Sequence, residues 1–292
     1  MVGIAGEQYA AKFLDPTAVA AYVANPVLPH PNNGQKYLET DLLVYAAGTL
    51  FCVEIKNYRG VISHASASDP GQIIQQKIGR YGEAIPAKLH QNPLRQAKGF
   101  VFHLKTYLAT QVDPRFKNLF IVAVAAFVRN ADTDIRPIWN WNSTGGIIYV
   151  DELPQFFQAN GNPRFAERPS RWIVEGLNRV PRPDVIETVA GDQLRGFLMH
   201  PDLALDVGEE RPLLVPFHEI REVRLSRGRF SESDRVEITF NRGETIVHQA
   251  AAGKIRMRTL DGYVVSKRLL NLVAIRPGRP VAAPPALRAS RS

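Results

Sequence analysis

The longest apolar run of the chain constrains the fold most strongly. Residues 119–128 (LFIVAVAAFV) contain no polar side chain. A membrane-spanning helix needs about 20 such residues, so the run has about half the required length. A short run rich in β-branched and aromatic residues is typical of a strand that is buried on both faces. We therefore expect residues 119–128 to form a central strand of a sheet.

The segments around this run predict the rest of an α/β unit. Residues 37–45 and 49–57 have strand-like patterns and are joined by Ala-Ala-Gly, which predicts a hairpin. Asn92 suits the N-cap and Pro93 the first position of a helix that follows the hairpin in the chain. Shorter helices are expected within residues 2–14, 150–158 and 169–179.

The texture of the sequence changes after VPRPD (residues 180–184), which we interpret as a linker. Residues 1–180 are predicted to form the first domain. Residues 185–276 contain short alternating runs separated by turn signals, and we expect a β-rich, partly barrel-like module. Residues 277–292 form a Pro/Ala/Arg tail with the composition of a disordered segment.

Composition excludes some classes of protein. A single cysteine excludes an internal disulfide framework and a cysteine-clustered zinc site. The net charge of +8 suits a polyanionic partner, but the last 17 residues carry four arginines and no acid. The remainder has 32 basic and 28 acidic residues, so bulk charge alone is weak evidence for nucleic acid. No signal peptide is evident, and the expected location is the cytoplasm, with no membrane partner.

Two charges inside a strand-like run are the most unusual local feature. In FCVEIKNYRG (residues 51–60), Glu54 and Lys56 share one face of the strand, while Phe51, Val53 and Ile55 share the other. Asp41 lies on the neighbouring strand of the predicted hairpin and can reach the same face. Two carboxylates and an ammonium suit phosphodiester hydrolysis, because carboxylate oxygens bind Mg²⁺ and a lysine stabilises developing charge. A hairpin salt bridge without catalysis remains open from this stretch alone.

Further motifs make the pattern more specific. Gly-Ile-Ala-Gly-Glu ends at Glu7, Glu-Thr-Asp ends at Asp41, Val-Glu-Ile-Lys ends at Lys56, and Asn-Pro-Leu-Arg-Gln ends at Gln96. These four motifs, in this order within residues 3–130, resemble the nuclease-related domain (NERD) family, a branch of the PD-(D/E)xK nuclease superfamily. The resemblance implies a restriction-endonuclease-like mixed sheet flanked by helices, cleavage of DNA, and dependence on Mg²⁺ or Mn²⁺.

The resemblance also implies roles for individual residues. Asp41 and Glu54 would be metal ligands, and Glu7 would approach the metal directly or through water. Lys56 would orient the attacking water or stabilise charge, and Gln96 would line the site from its helix. Glu7 as a helix-start carboxylate and Gln96 as a solvated residue remain alternatives. Glu39 shares the predicted face of Asp41, and a salt bridge at the strand entry is expected for it.

Other basic residues are candidates for contacts with nucleic acid. Lys88, Arg95 and Lys98 lie near the predicted site in sequence, although a solvated basic face explains them equally well. The arginines of REVRLSRGRF (residues 221–230) are diluted by acids, which favours a solvent face. The segment between Gly60 and Gln91 is a long departure from the family pattern, and we expect an insertion that acts as a mobile loop, lid or substrate contact.

The function predicted from these observations is a metal-dependent nuclease acting on nucleic acid, DNA more than RNA, in defence against foreign DNA or genome maintenance. A nuclease-like domain that binds nucleic acid without cutting it is one alternative. A scaffold or signalling protein in which the β-rich module acts is another. The module itself is expected to regulate, target or oligomerise the enzyme, through a homo-oligomer or a regulatory protein partner.

Overall fold

A computed structural model describes residues 12–14, 19–66, 71–79, 83–162, 171–200, 202–205, 213–226, 235–249 and 254–278. The chain divides into two compact units. The first contains Met1–Leu28 and Glu39–Val180, and the second contains Pro29–Leu38 and Pro181–Ser292. The helix predicted within residues 2–14 lies almost entirely outside the described residues, and so does nearly all of the predicted tail.

The first unit is built on a mixed sheet. Its strands are β1 (Val19–Ala24), β4 (Leu42–Ala46), β5 (Thr49–Lys56), β9 (Ile121–Phe127), β11 (Asn140–Asn142) and β12 (Gly145–Tyr149). The strand order is β1-β4-β5-β9-β12-β11, with β5, β9 and β12 parallel to one another and the other pairs antiparallel. The predicted central strand is confirmed, because β9 lies between β5 and β12 and is almost wholly buried.

The hairpin is confirmed, but its first strand is shorter than expected. β4 and β5 pair with Ala46 opposite Thr49. The two residues between them, Ala47 and Gly48, have φ of 47° and 77°, which matches the positive φ values that tight hairpin turns require. Upstream, the predicted strand over residues 37–45 is interrupted at Thr40 and Asp41.

The interruption places Glu39 on a different strand from the one that follows Asp41. β3 (Asn33–Glu39) pairs with β2 (Val27–His30) in a separate two-stranded sheet. The chain then bends, and the backbone N–H of Thr40 donates to the carbonyl of Pro26. The prediction that Glu39 and Asp41 lie on one face of one continuous strand is therefore wrong, because pairing with β2 ends before Asp41.

The expectation of a mobile loop over residues 60–91 is wrong, because most of this segment is strand. It forms β6 (Gly60–His64), β7 (Gln72–Ile78) and β8 (Ala84–Gln91), which pair antiparallel. Together with β10 (Thr133–Asp134), parallel to β6, they make a second sheet in the order β10-β6-β7-β8. Ile62 and Ile73 are completely buried, so this segment has apolar anchors despite its polar composition.

Helices cover the first sheet on both faces. α1 (Pro93–Tyr107) begins after Asn92, whose side chain accepts a hydrogen bond from the backbone N–H of Leu94 at 2.9 Å, as the sequence predicts for an N-cap. It contacts β5 and β9. α2 (Leu153–Ala159) supplies Phe156 and Phe157 to the core cluster that contains Phe51 and Val53 of β5. α3 (Arg171–Leu177) follows later in the chain.

The second unit is β-rich, as predicted. Its strands are β13 (Asp184–Thr188), β14 (Gln193–Leu198), β15 (Asp202–Leu205), β16 (Leu213–Pro216), β17 (Ile220–Ser226), β18 (Arg235–Phe240), β19 (Thr245–Gln249), β20 (Lys254–Thr259), β21 (Val264–Arg268) and β22 (Leu272–Arg276). The main sheet is antiparallel in the order β19-β18-β17-β22-β13-β14-β20-β21, and β15 pairs with β16. Over the described residues the sheet is open, with β19 and β21 at its ends, and shows no barrel closure.

None of the helices in the described part of the chain combines the length and the apolar character needed to cross a membrane.

Candidate active site

The candidate site lies where β5 runs beside the start of β4. Leu42 pairs with Val53, so Asp41 stands at the level of Glu54 on the neighbouring strand. The backbone N–H of Ile55 donates to Oδ2 of Asp41 at 2.5 Å, which fixes the Asp41 carboxylate beside β5. The hairpin therefore brings Asp41 and Glu54 together, as the strand pattern predicts.

Glu54 is a buried carboxylate with two side-chain donors. Its residue is 3% exposed. Nζ of Lys56 donates to Oε1 at 2.6 Å, and Oγ1 of Thr40 donates to Oε2 at 3.2 Å. The side chain of Lys56 is only 19% exposed. Isolated buried charges are costly, so the short contact between Lys56 and Glu54 offsets part of the cost for both groups.

The charges of Glu54 and Lys56 do not balance the site, because the carboxylate of Asp41 lies close to Glu54. Burial and then the negative charge of Asp41 raise the pKa of Glu54 to about 7, against the charge and the hydrogen bond of Lys56, which lower it. Burial disfavours the charged form of Lys56, but the charges of Glu54 and then Asp41 outweigh it and raise the lysine pKa. Lys56 is thus held as an ammonium, while Glu54 and Asp41 repel each other.

The opposite face of β5 packs as the sequence predicts. Phe51, Val53 and Ile55 belong to the core cluster on the side of α2. On the site side, Cys52 is completely buried, and its Sγ lies 3.8 Å from the carbonyl of Ala97 on α1. This side of β5 therefore faces α1, with Cys52 against the helix and Glu54 and Lys56 further along the strand.

A second group of side chains lies just beyond the end of β5, and the sequence pattern did not reveal it. Tyr58 follows β5 and stacks on His90 of β8, with ring centroids 4.5 Å apart and an interplanar angle of 27°. Nε2 of His90 shares a hydrogen bond of 3.1 Å with Oε1 of buried Gln75, whose Nε2 donates to the carbonyl of Arg59 at 2.6 Å. The second sheet thus delivers His90 and Gln75 to the end of β5.

His90 and Tyr58 both respond to the charges of the site. Burial lowers the pKa of His90, and the positive charges of Lys88, Lys56 and Lys77 lower it further. Burial raises the pKa of Tyr58, partly offset by the charge of Lys56. His64, His90 and His103 lack metal-ligand spacing in the sequence, and no other sequence signal links His90 to Lys56. The only signal for this group was the polar content of the 60–91 segment, which we interpreted as a loop.

The other residues predicted for the site have no described contact with Asp41, Glu54 or Lys56. Gln96 lies half-buried on the first turns of α1, and within the described residues no hydrogen bond joins its side chain to Asp41 or Glu54. Arg95 and Lys98 are exposed on the same helix, and Lys88 is exposed on β8. Arg95 and His90 line a cavity of about 430 Å³ between the end of β8 and the start of α1. Glu7 lies outside the described residues.

The donor set fits a divalent cation. Asp41 and Glu54 offer hard carboxylate oxygens, and Mg²⁺ is commonly held by one or two carboxylates together with waters and substrate phosphate. A cation between them would relieve the repulsion that raises the pKa of Glu54. Over the described ranges, which omit Glu7, no group of three or more His, Cys, Asp or Glu side chains is arranged to hold a metal.

Comparison with known families agrees with the motifs. Residues 2–128 match the family model of the nuclease-related domain, NERD. Among curated proteins, none matches the chain. The matched segment contains Asp41, Glu54, Lys56 and Gln96, and the resemblance found in the sequence is confirmed: this part of the chain matches the nuclease-related domain family.

Proposed function

We propose that the first unit is a restriction-endonuclease-like, metal-dependent nuclease that hydrolyses phosphodiester bonds, in DNA more than in RNA. The observation that carries the proposal is the buried Glu54–Lys56 pair with Asp41 held beside it by the backbone of β5. The matched family supports the reaction class. A role in defence against foreign DNA is part of the proposal and rests on the family alone.

The third charge argues against a purely structural salt bridge. A structural pair needs one acid and one base, and a second carboxylate close to Glu54 adds electrostatic repulsion to the pair. Here Asp41 raises the pKa of Glu54 against the effect of Lys56. Such a surplus of negative charge costs stability in the metal-free protein. It is useful when a cation is to be bound, because the cation turns the repulsion into coordination.

The residues of the site would divide the work as follows. Asp41 and Glu54 would hold Mg²⁺ or Mn²⁺, with Glu7 as a further oxygen donor. The bound ion would lower the pKa of a water and neutralise charge on the phosphate. Lys56 carries its proton at neutral pH and would donate to the attacking water or to a phosphate oxygen, beside the carboxylates that set its position. Gln96 would line the site from α1.

His90 and Tyr58 extend the site beyond the end of β5. Their rings are stacked, and burial together with the positive charges of three lysines lowers the pKa of His90 and favours its neutral form. A neutral imidazole can accept a proton or a hydrogen bond. With Arg95, Lys88 and Lys98 nearby as phosphate contacts, we expect the substrate backbone to pass along the cavity that His90 lines.

Cleavage assays with matched variants test this proposal. The full chain is incubated with plasmid, linear and single-stranded DNA and with RNA, in Mg²⁺, in Mn²⁺ and in EDTA. Asp41→Asn and Lys56→Met are compared with Glu175→Gln and Lys105→Met, which change the same types of charge at exposed positions. We expect metal-dependent cleavage that falls about 100-fold or more in the first two variants and stays unchanged in the controls.

Each contrary result has a distinct meaning. Cleavage that survives both Asp41→Asn and Lys56→Met would place the active site elsewhere. Binding of nucleic acid without cleavage under any condition would support the non-catalytic alternative. A folded chain that neither cuts nor binds nucleic acid would support the scaffold alternative.

A further inference from the structure

Charge is distributed unevenly across the main sheet of the second unit. The strands β17, β22 and β13 together contain both acids and bases, and two of their arginines pair with acids. Arg224 and Arg276 both contact Glu222, at 2.9 and 2.8 Å. By contrast, the three neighbouring strands β14, β20 and β21 contain only basic charged residues and no Asp or Glu. These three strands therefore contribute only positive charge to this end of the sheet.

The register sorts the side chains of these three strands onto two faces. Leu198 pairs with Met257, which pairs with Val265, and all three belong to or pack against the core of the unit. The residues one position away point to the opposite face, since side chains alternate along a strand. That face contains Phe197, Arg258 and Val264 in one row and Arg256 and Ser266 in the next. Arg195 lies two residues from Phe197 on β14, and Arg268 lies two residues from Ser266 on β21, so both belong to the same face.

We call this the arginine face, defined by Arg195, Arg256, Arg258, Arg268 and Phe197. Arg256 and Arg268 are exposed, and Arg258 is half-buried. Residues two apart on one strand are separated by roughly 6.6–6.8 Å. Arg256 and Arg258 therefore present charges at regular intervals along β20, which suits the repeated phosphates of an extended nucleic-acid strand.

An aromatic pair stands at one side of the arginine face. The rings of Tyr37 and Phe197 are tilted by 47°, with centroids 4.6 Å apart. The backbone N–H of Tyr37 donates to the carbonyl of Leu260, just after β20. Burial raises the pKa of the Tyr37 hydroxyl, and the positive charge of Arg258 opposes the rise.

A cavity of about 480 Å³ opens beside this pair. Its walls include Tyr37, Phe197 and Phe217, together with Asp184, His200 and His218. The carboxylate of Asp184 is fixed by backbone N–H groups of Leu198 and Gly278, each at 2.6 Å. Aromatic walls with a few fixed polar groups are typical of sites for flat organic rings, and the volume lies within the usual range of small-molecule pockets.

We propose that the arginine face binds single-stranded nucleic acid, with its arginines on successive phosphates and an unpaired base against Tyr37 and Phe197 at the mouth of the cavity. Single-strand sites commonly combine a basic track with aromatic stacking platforms. Duplex DNA would satisfy the arginines but offers no free base to the aromatic pair. An acidic protein would supply the charge but not the flat rings. The inference adds a second contact with the substrate class of the proposed function, on residues that take no part in the chemistry.

Binding in EDTA isolates this surface from catalysis. Fluorescence anisotropy of the full chain with a labelled single-stranded oligonucleotide is measured over a range of salt. Arg256→Gln with Arg258→Gln is compared with Arg221→Gln and Arg224→Gln on β17, which remove the same charge from the same sheet. We expect the Arg256/Arg258 variant to weaken binding about 10-fold and to reduce the magnitude of the slope of log K against log salt by about 1.4. The Arg221/Arg224 control should change neither the affinity nor the slope appreciably.

The aromatic part has its own matched variants. Phe197→Leu keeps an apolar side chain without a ring, and Phe197→Tyr keeps the ring. We expect Phe197→Leu to weaken single-strand binding about 5- to 100-fold, Phe197→Tyr to restore it, and duplex binding to change less. Equal loss for single strand and duplex would overturn the stacking role.

Three results would overturn the arginine face itself. They are unchanged affinity in the Arg256/Arg258 variant, equal loss in the β17 control, and competition by polyglutamate as strong as by the oligonucleotide. Because the measurements need no cleavage, they remain decisive if the chain proves not to be a nuclease. Cleavage by wild type with unchanged binding in the Arg256/Arg258 variant would leave the proposed function standing and refute this inference alone.

Discussion

Replacing Glu54 by Gln should reveal the electrostatic cost of the metal-free site. Glu54 is 3% exposed, and its carboxylate lies among Lys56, Thr40 and the charge of Asp41. Gln has nearly the same shape and keeps an oxygen for Lys56 and Thr40, but it removes the negative charge that Asp41 opposes. We therefore expect Glu54→Gln to abolish cleavage and, at alkaline pH without metal, to stabilise the first unit relative to wild type.

The magnitude follows from the pKa of Glu54. Burial and Asp41 raise it from 4.5 to about 7 in the folded protein. Because the folded value lies above the unfolded one, the protonated carboxyl favours folding below the unfolded pKa, and this contribution is lost as pH rises through the folded pKa. Between about pH 5 and pH 8.5, wild type should lose roughly 2.5 kcal/mol of unfolding free energy that Glu54→Gln retains.

The assay is urea unfolding in EDTA, followed by tryptophan fluorescence at both pH values. All three tryptophans, Trp139, Trp141 and Trp172, lie in the first unit, so the signal reports on the unit that contains Glu54. Titration of groups that do not interact with Glu54 cancels in the difference between the variant and wild type. Glu175→Gln at an exposed ion pair serves as the control, and its difference from wild type should stay within about 1 kcal/mol at both pH values.

One pattern would refute the reasoning. If the difference between Glu54→Gln and wild type were the same at both pH values, or grew in favour of wild type at pH 8.5, Glu54 would not carry a raised pKa. Mg²⁺ gives a second readout, because a bound ion stabilises only the form that holds it. At pH 8.5, Mg²⁺ should raise the stability of wild type more than that of Glu54→Gln.

Three further predictions concern other positions. Cys52, the single cysteine, is completely buried with a raised pKa, so a thiol reagent should modify it only on unfolding, and rapid reaction of the native protein would contradict its placement against Ala97. Asn92→Ala should cost about 0.5–2 kcal/mol in thermal or urea unfolding through loss of the N-cap, with Asn92→Asp close to wild type, and equal losses in both would argue against capping. Gly60→Ala should cost about 2 kcal/mol or more, because φ is +94° and the new Cβ would lie 2.0 Å from the carbonyl oxygen of Gln76. The Cβ added by Gly99→Ala on α1 would have no other atom within 4 Å, so this substitution should instead raise the free energy of unfolding by about 0.5–1 kcal/mol. Similar effects of the two substitutions would contradict the backbone described at Gly60.

Local patterns in the sequence determined the parts of the site that depend on near neighbours. The alternation in residues 51–56 sorted Glu54 and Lys56 from Phe51 and Val53, and the buried cluster has the same division. Asn92 and Pro93 marked the start of α1. These assignments rest on the strand and helix periods and on capping, each of which is settled within a few residues of the chain.

The tertiary structure decided where the strands stop and which distant segments meet. Residues 37–45 have an unbroken strand pattern, but pairing of β3 with β2 ends at Glu39, so Asp41 turns towards Glu54 and Glu39 does not follow the same strand. The residues 60–91 are too polar to predict a sheet, yet long-range burial of Ile62 and Ile73 makes one.

The same distinction applies to the surfaces around the chemistry. Tyr58, Gln75 and His90 are separated by up to 32 positions in the chain and meet only because β7 and β8 pair beside the end of β5. The arginine face likewise depends on β14 and β20 becoming neighbours across more than 50 residues. Alternation tells which side of its own strand a residue occupies, but the partner strand is chosen by burial and backbone pairing over the whole unit, which no local pattern contains.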